Sequence, residues 1–386
     1  MIEPLYDFGL TDEQEKRAER LHDESIIIDT LFQGPIGTYS MPPEDEERFL
    51  KEAQEAYPGD ETKQCLYAIE QIRLQSIYGR YQELYKNCWY ESGITAGCRQ
   101  LEVNNREEVY QTALKLQEEF DRFPWLIKAR TADDIRRAKK EGKKAGFVTC
   151  QETLGFGTDL DMLEEMHRFG LNVVQLTYNN HNLVGAGCME PNDAGLSRFG
   201  VKFVKKCNEL GIVVDIGHTG RQSGLDACKV SDYPVIASHT AAEKVYSHKR
   251  CKSDEELKAI ASTGGVIGVF AMPWFIADDP ANTTLDDYLD HVEYIADLVG
   301  ADHVGIGTDW PMPQSKWVAE SYKKNMAPLI GFAPGDGPSN EWVHGIKDYR
   351  SFINITRGLV ARGWSDGDIS KFLGENWLRV FGECWK

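Results

Sequence analysis

Two histidines and one aspartate each stand where a short apolar run of the chain ends. His218 follows the run IVVDIG, His239 follows VIAS, and Asp309 follows VGIGT. Neutral imidazole and carboxylate are the usual protein ligands of catalytic zinc, and three such ligands leave one coordination position for water or substrate. The pattern indicates a divalent metal site, provided that the fold brings the three ends together. For either histidine alone, a hydrogen-bonded core residue is the simpler interpretation.

Eight short apolar runs recur along the chain, and amphipathic helix-like segments separate most of them. The runs are SIIID, GITAGCRQL, AGFVTCQE, LNVVQLTY, GIVVDIGH, YPVIASH, GGVIGVFA and DHVGIGTD. Near-continuous apolar strands that alternate with amphipathic helices are typical of a parallel sheet covered on both faces. Eight such units predict a (β/α)8 TIM barrel, in which the chemistry sits at the carboxyl ends of the strands. An open doubly wound sheet is the alternative, although no glycine-rich phosphate motif follows the first run.

Length and composition fit one large domain. The chain has 386 residues, of which 41% are hydrophobic and 27% are charged, and it can therefore bury a sizeable core. We predict a single TIM-barrel domain over residues 1–386, with a helical N-terminal extension over about 1–25. A Thr11–Gln14 capping box marks the first helix start in this extension. A stretch rich in Pro and Gly at about 311–345 is predicted to form a long loop or lid.

Charge and cysteine usage limit the partners and the compartment. The formal charge of −18 argues against nucleic acid or an anionic membrane as a partner, because like charges repel. The nine cysteines form no C-x-x-C pair, so reduced thiols are a better interpretation than a disulfide framework. The sequence shows no secretory signal and no apolar segment of membrane-spanning length. We therefore expect a cytoplasmic protein that acts on a small molecule.

Several other predicted strands also end in polar residues. Strand one ends at Asp29, strand three at Gln151 and strand four at Tyr178. A barrel brings all of these to the same rim as the histidines. Asp215 lies earlier on the fifth strand than the first histidine, and we interpret it as a structural carboxylate that a neighbouring donor satisfies.

Five stretches of the chain together resemble the membrane (renal) dipeptidase family, which are metal-dependent peptidases of the amidohydrolase superfamily. The stretches are VVDIGHTG, PVIASHTAA, HKRCKSDEELKAIASTGGVIGV, HVGIGTD and FLGENWLRVF, and the similarity covers most of residues 146–382 in the same order. The resemblance implies a TIM barrel of the metallo-dependent hydrolase type, two zinc ions, cleavage of dipeptides and commonly a homodimer.

The resemblance also implies roles for four residues. His218 and His239 match the family's two histidines on one zinc, and Asp309 matches the acid that manages the proton of the attacking water. Arg250 matches the arginine that grips the terminal carboxylate of the substrate, a task suited to the forked donors of a guanidinium. The family's next residue is typically asparagine, and here it is Cys251.

Four polar positions of the family differ in this chain. Leu31 and Gln33 stand where the family has a histidine and an aspartate that bind metal. Gln151 stands at the bridging glutamate, with Glu152 beside it, and Tyr178 stands at a histidine that polarises the substrate carbonyl. One metal position has therefore lost nearly all of its protein ligands. We expect at most one zinc ion, held by the two histidines and the aspartate of strand eight.

Three functions stay open on the sequence. The first is a metal-dependent hydrolase of an amide- or peptide-like bond in a small carboxylate-bearing substrate, such as a dipeptide or a related carboxylate, with Asp309 as general base and then acid. In it Tyr178 would donate to the developing oxyanion, while Arg250, Gln151 and Tyr178 would contact the substrate. The second is a metal-free acid/base enzyme, a lyase or hydrolase, on the same scaffold. The third is a non-catalytic protein that binds a small anion.

Overall fold

The computed structural model describes residues 5–32, 43–309, 341–347 and 349–386, together with Trp317, Glu320, Lys324 and Asn325. Gln33 and most of the loop or lid predicted at about 311–345 lie outside the described residues. The predictions made for them are therefore left as they stand.

Parallel strands form the centre of the described molecule. They are β1 (Ile28–Asp29), β2 (Ala96–Gln100), β3 (Leu126–Lys128), β4 (Lys144–Cys150), β5 (Leu171–Gln175), β6 (Val213–Asp215), β7 (Val235–Thr240), β8 (Ile267–Val269) and β9 (Val304–Ile306). Neighbours in the sheet follow the order β1-β2-β4-β5-β6-β7-β8-β9, and these are the eight runs predicted from the sequence. The (β/α)8 TIM barrel is confirmed.

Hydrogen bonds between β1 and the end of β9 complete the ring. The N–H of Thr30 donates to the Ile306 carbonyl over 3.3 Å, and the N–H of Asp309 donates to the Leu31 carbonyl over 3.1 Å. The Thr30 hydroxyl also donates to the Ile306 carbonyl over 3.1 Å. An open doubly wound sheet has no such contacts between its first and last strands, so that alternative is wrong.

The short strand β3 has no counterpart among the predicted runs. It pairs in parallel with the first half of β4 and lies off the closed ring. Three residues are too few to show the period of a strand in a sequence, so the stretch LIK carries no recognisable signal.

Helices surround the ring. They are α1 (Asp12–Glu24), α2 (Pro43–Ala56), α3 (Glu61–Tyr78), α4 (Gln82–Glu91), α5 (Arg106–Arg122), α6 (Ala132–Lys140), α7 (Leu160–Phe169), α8 (Arg198–Leu210), α9 (Arg221–Val230), α10 (Asp254–Ser262), α11 (Pro273–Ile276), α12 (Leu285–Val299), α13 (Ile353–Ala361), α14 (Asp366–Ser370) and α15 (Asn376–Cys384). Gly211 ends α8 in the left-handed conformation, with φ of 82°, which a glycine adopts without steric cost. None of the helices in the described ranges has both the length and the apolar character needed to cross a membrane. The cytoplasmic location stays a prediction.

Helix α1 lies in the N-terminal stretch of about 1–25 for which a helical extension is predicted. Thr11 and Gln14 make the reciprocal hydrogen bonds of a capping box at its start. Glu15 in α1 pairs with Arg357 in α13. One hydrophobic cluster extends from Ala18 in α1 to the C-terminal end of the chain and includes residues of all eight ring strands. The division of the chain into one domain stays a prediction.

Candidate metal centre and active site

The barrel brings the two histidines and Asp309 together at the carboxyl ends of its strands. His239 lies in β7, His218 lies three residues after β6, and Asp309 lies three residues after β9. The ring centroids of the histidines are 4.8 Å apart. His239 Nε2 lies 4.0 Å from Asp309 Oδ2. Three side chains that are far apart in the sequence therefore share one place in the fold.

Each histidine has one bonded and one unbonded ring nitrogen. Nδ1 of His218 lies 2.6 Å from Oδ1 of Asn179. Nδ1 of His239 lies 2.8 Å from Oγ of Ser238. Both Nε2 atoms are buried and have no hydrogen-bond partner among the described residues. Such an atom is costly in a folded protein unless something binds it, and a metal-ligating histidine typically bonds the metal through one nitrogen while the other donates to the protein. The pair therefore fits a shared metal ion.

The electrostatic surroundings keep both imidazoles neutral. Burial, followed by the charge of Arg250, holds the pKa of His218 well below its usual range. Burial, Arg250 and Lys252 lower the pKa of His239 in the same way. Lys252 is itself buried and forms an ion pair with Glu256. Because only a neutral imidazole can bind a metal, these surroundings suit metal ligands.

The backbone of Asp309 is strained. Its φ is 46°, and in the described part of the chain it is the only residue other than glycine with a positive φ. A left-handed conformation costs a residue with a Cβ about 1–2 kcal/mol, and such strain tends to occur at functional sites. The hydrogen bond from its N–H to Leu31 holds the residue in this conformation. The carboxylate of this strained residue lies beside His239.

The three side chains do not yet form a complete ligand set. Two ligands of one tetrahedral zinc lie roughly 3–3.5 Å apart, whereas His239 Nε2 and Asp309 Oδ2 are 4.0 Å apart. Within the described ranges, no group of three or more histidine, cysteine, aspartate and glutamate side chains has the geometry to hold a metal. The two histidines leave their Nε2 atoms available to an ion, and Asp309 would have to move closer to join them.

Neutral amides and an alkyl group occupy much of the remaining rim. Gln151 donates from Nε2 to Gln100 Oε1 over 2.8 Å, and Gln175 donates from Nε2 to the Gln151 carbonyl over 2.7 Å. Gln175 Oε1 accepts the N–H of His218 over 3.2 Å. Leu31 is buried. The linked amides bring hydrogen bonds to the rim but no charge.

Two nearby carboxylates that could replace a bridging ligand are bonded to the protein. Asp29 accepts the N–H of Leu31 and both the N–H and the hydroxyl of Thr308. Its burial raises its pKa to about 6. Glu152 accepts the N–H of Tyr178 over 3.1 Å, the N–H of Thr153 and a side-chain N–H of Asn182. Neither carboxylate is free to bridge two ions without losing these bonds.

Asp215 is the structural carboxylate indicated by the sequence. Its Oδ1 accepts the N–H of Gly217 over 2.8 Å and the N–H of Ser238 over 2.9 Å. Its Oδ2 accepts the Ser238 hydroxyl over 2.5 Å. Burial raises its pKa. Asp215 therefore fixes both the turn that leads to His218 and the residue that precedes His239.

Tyr178 and Arg250 both contact the histidine pair. The Tyr178 ring stacks on the His218 ring, with centroids 4.0 Å apart and planes at 21°. Arg250 is buried and donates to the carbonyls of Gly217 over 2.6 Å and His239 over 3.4 Å. Its Nε has no partner among the described residues. Arg250 is thus part of the wall of the site, and its contact with a substrate carboxylate stays a prediction.

Four residues of the site escape detection in the sequence. Gln100, Gln175 and Ser238 are polar residues inside otherwise apolar runs, and this is the signal that could have identified them. Asn179 follows β5 in the polar stretch YNNHN. Polar residues are ordinary in loops, so nothing in that stretch indicates a contact with His218.

Comparison with known proteins identifies the family. The family model for membrane dipeptidase (peptidase family M19) matches residues 15–324. This chain belongs to the membrane dipeptidase family. Dipeptidase tcpJ of Claviceps purpurea (strain 20.1) is 30% identical over 258 residues, which are 66% of this chain and 54% of that protein. Dipeptidase verJ of Clonostachys rogersoniana is 28% identical over 256 residues, which are 65% of this chain and 58% of that protein. The chain spans just over half the length of these relatives.

Solved structures share the fold over nearly the whole chain. An amidohydrolase from Pseudomonas aeruginosa has a TM-score of 0.75 and 28% identity, covering 95% of this chain and 99% of that one. A metallo peptidase from Rhodobacter sphaeroides, liganded with a phosphinate mimic of the dipeptide L-Ala-D-Ala, has a TM-score of 0.69 and 20% identity, covering 94% of this chain and 100% of that one. The second likeness shows the fold alone. The resemblance read from the sequence motifs is confirmed.

Proposed function

We propose that this chain is a metal-dependent hydrolase of the dipeptidase type that cleaves an amide or peptide-like bond in a small carboxylate-bearing substrate. The observation that carries the proposal is the pair of buried, unpartnered Nε2 atoms of His218 and His239 beside Asp309. Membership of the membrane dipeptidase family supports the reaction class. A dipeptide or related carboxylate is the substrate class that this family favours.

One zinc ion would be held by His218 and His239, with Asp309 as the third ligand. When bound, zinc polarises a carbonyl oxygen and makes water more acidic. Two dications roughly 3.5–4 Å apart need anionic ligands to offset their repulsion. Gln151 and Leu31 offer no charge, and the nearby carboxylates are engaged in hydrogen bonds. A second tightly held ion is therefore disfavoured.

The protein's own side chains would manage the proton, the developing charge and the substrate. Asp309 accepts a proton from the attacking water as general base and returns it to the leaving nitrogen as general acid. The Tyr178 hydroxyl donates a hydrogen bond to the oxygen on which negative charge develops. Arg250 binds the terminal carboxylate with its guanidinium, and Gln151 contacts the substrate through its amide. The homodimer implied by the family resemblance stays a prediction.

Metal analysis tests the proposal most directly. Protein purified without chelator and then dialysed should hold about one zinc per chain, and a chelator should abolish dipeptide hydrolysis until zinc is restored. His218→Ala and His239→Ala should each lose the ion, whereas His181→Ala, at an exposed histidine, should retain it.

Other outcomes would redirect the assignment. Two equivalents of zinc after dialysis would contradict the one-ion centre and would mean that Glu152 or Asp29 acts as a bridge. Turnover without metal, unaffected by chelator, would support the metal-free acid/base enzyme. Binding of a small carboxylate with no turnover would support the non-catalytic anion-binding protein.

A further inference from the structure

A hydrogen-bonded chain lies behind the imidazole of His239, at the nitrogen that does not face the site. Nδ1 of His239 is 2.8 Å from Oγ of Ser238, and the same Oγ is 2.5 Å from Oδ2 of Asp215. Both His239 and Ser238 are buried, so water does not compete for these bonds. The three side chains therefore form one hydrogen-bonded chain.

Counting donors assigns the proton on His239. A serine hydroxyl has one hydrogen to donate, whereas a carboxylate can only accept. Asp215 already accepts two backbone N–H groups at Oδ1, as a carboxylate does, and so takes the Ser238 hydroxyl hydrogen at Oδ2. The Ser238 oxygen is then left to accept from the imidazole. His239 consequently carries its proton on Nδ1 and its lone pair on Nε2.

The same reasoning applies to His218 with a different partner. Oδ1 of Asn179 lies 2.6 Å from His218 Nδ1, and a carboxamide oxygen can only accept. The thiol of Cys188 also approaches this oxygen at 3.5 Å, as a donor to an acceptor. Asn179 is fully buried. His218 therefore also carries its proton on Nδ1, and its lone pair is on the unpartnered Nε2.

We propose that Asn179 and Ser238 are positioning residues that hold His218 and His239 in the tautomer that leaves both Nε2 lone pairs available to a metal ion. Because the reason to hold this tautomer is a metal ion, the assignment rests on the proposed function. Neither residue touches substrate or ion, and each acts through the histidine that it bonds. Asp215 supports Ser238 from behind by consuming its hydroxyl hydrogen.

Zinc affinity measures the contribution of each positioning residue. Removing the outer partner of a metal-ligating histidine typically weakens metal binding 10- to 100-fold. Zinc dissociation constants, measured by competition with a chromophoric chelator, should rise by this factor in Asn179→Leu and in Ser238→Ala. Asn179→Asp and Ser238→Thr keep an acceptor for the imidazole, so both should bind zinc within a few fold of the wild type.

Ser223→Ala is the matched control. Ser223 is also a buried serine whose hydroxyl donates to a carboxylate, that of Asp193, over 2.7 Å, but it bonds no histidine. Its loss should leave zinc affinity unchanged if the effect of Ser238→Ala acts through the imidazole. A weakening equal to that of Ser238→Ala would point to a general loosening of the barrel rim.

The tautomer itself can be read without metal. In metal-free protein labelled with 15N-histidine, two-bond nitrogen–proton correlations should show both His218 and His239 with the proton on Nδ1. Ser238→Ala should move His239 away from this pattern and leave His218 in place, and Asn179→Leu should do the reverse. The assignment of signals follows from His218→Ala and His239→Ala.

The two measurements separate the two proposals. A wild-type protein that binds no zinc would defeat the proposed function, while the spectra would still support or overturn the tautomer assignment. Zinc affinity and tautomers that are both unchanged in folded Asn179→Leu and Ser238→Ala would overturn the positioning role. If either of these variants fails to fold, wild-type spectra with the proton on Nε2 of either histidine overturn the role, and spectra with both protons on Nδ1 support it.

Discussion

Gln151 brings no negative charge to the rim of the barrel, so it cannot offset the charge of a bound cation. Its side chain donates to the Gln100 side chain, and its backbone carbonyl accepts from the Gln175 side chain. Nε2 of Gln100 is buried and has no partner among the described residues. A donor in that position is available to a carbonyl or carboxylate oxygen of a bound molecule. The amides thus suit a site that holds one cation and recognises the substrate by hydrogen bonding.

The role of Arg250 can be tested on matched substrates. Arg250→Met keeps a long side chain against Phe270, over whose ring the guanidinium lies at 5.5 Å, but removes every donor. The Michaelis constant for a dipeptide should rise through the loss of about 1.5–3 kcal/mol of binding, with a smaller change in kcat. A dipeptide amide, which lacks the terminal carboxylate, should be much less affected.

The same variant also removes bonds to two backbone carbonyls, so its thermal unfolding must be measured beside its kinetics. Equal losses on the dipeptide and its amide would show that Arg250 supports only the wall of the site.

At the scale of elements, periodicity predicts what the barrel core requires and little else. Each of the eight ring strands is an apolar run because both of its faces are buried. The polar stretch around residues 41–62 contains α2, which begins at Pro43. A proline is favoured at the first position of a helix, and this was the available signal. A helix such as α2, which is an addition to the strand–helix alternation, is therefore not predicted by that alternation.

Barrel topology also explains which site residues the sequence could indicate. His218, His239 and Asp309 end predicted strands, and a closed parallel ring places strand ends side by side whatever the intervening loops do. The contact between Asn179 and His218 depends on the path of a loop, and no periodicity encodes that path. The sequence therefore predicts the two histidines and Asp309 but not Asn179, which bonds the far side of the His218 ring.

Closure between β1 and β9 depends on a buried carboxylate at the strand end. Thr308 donates its N–H over 2.9 Å and its hydroxyl over 2.5 Å to Asp29. Thr308→Val removes the hydroxyl at nearly constant volume and leaves the carboxylate short of one donor. The free energy of unfolding in urea should fall by about 1.5–3 kcal/mol. Thr308→Ser keeps the hydroxyl and should lose much less; equal losses would assign the effect to packing of the methyl group.

At the scale of the whole molecule, partly or fully buried histidines make stability depend on pH. His22 in α1 lies between two distant parts of the chain, with Nδ1 2.9 Å from the Thr356 hydroxyl and Nε2 3.4 Å from the Ser92 carbonyl. Burial lowers its pKa to about 4. His291 is buried against α11 and its pKa is lowered for the same reason. The folded protein thus resists protons that the unfolded chain accepts.

In His22→Gln, the free energy of unfolding is expected to fall less steeply as the pH is lowered. An unfolded histidine binds its proton near pH 6.5, whereas folded His22 does so near pH 4. The stability of the fold with neutral His22 is therefore complete above pH 6.5. It is lost as the pH falls toward 4, because the unfolded chain takes up the proton first. Each proton taken up only by the unfolded state steepens the decline by up to about 1.4 kcal/mol per pH unit, and the variant removes one such proton. Urea unfolding at several pH values between 7 and 4.5 measures the slope, with His344→Gln, at an exposed histidine, as the control. A slope identical to that of the wild type would mean that His22 is already protonated in the folded protein, and that the chain joins α1 to the barrel through a charged imidazole.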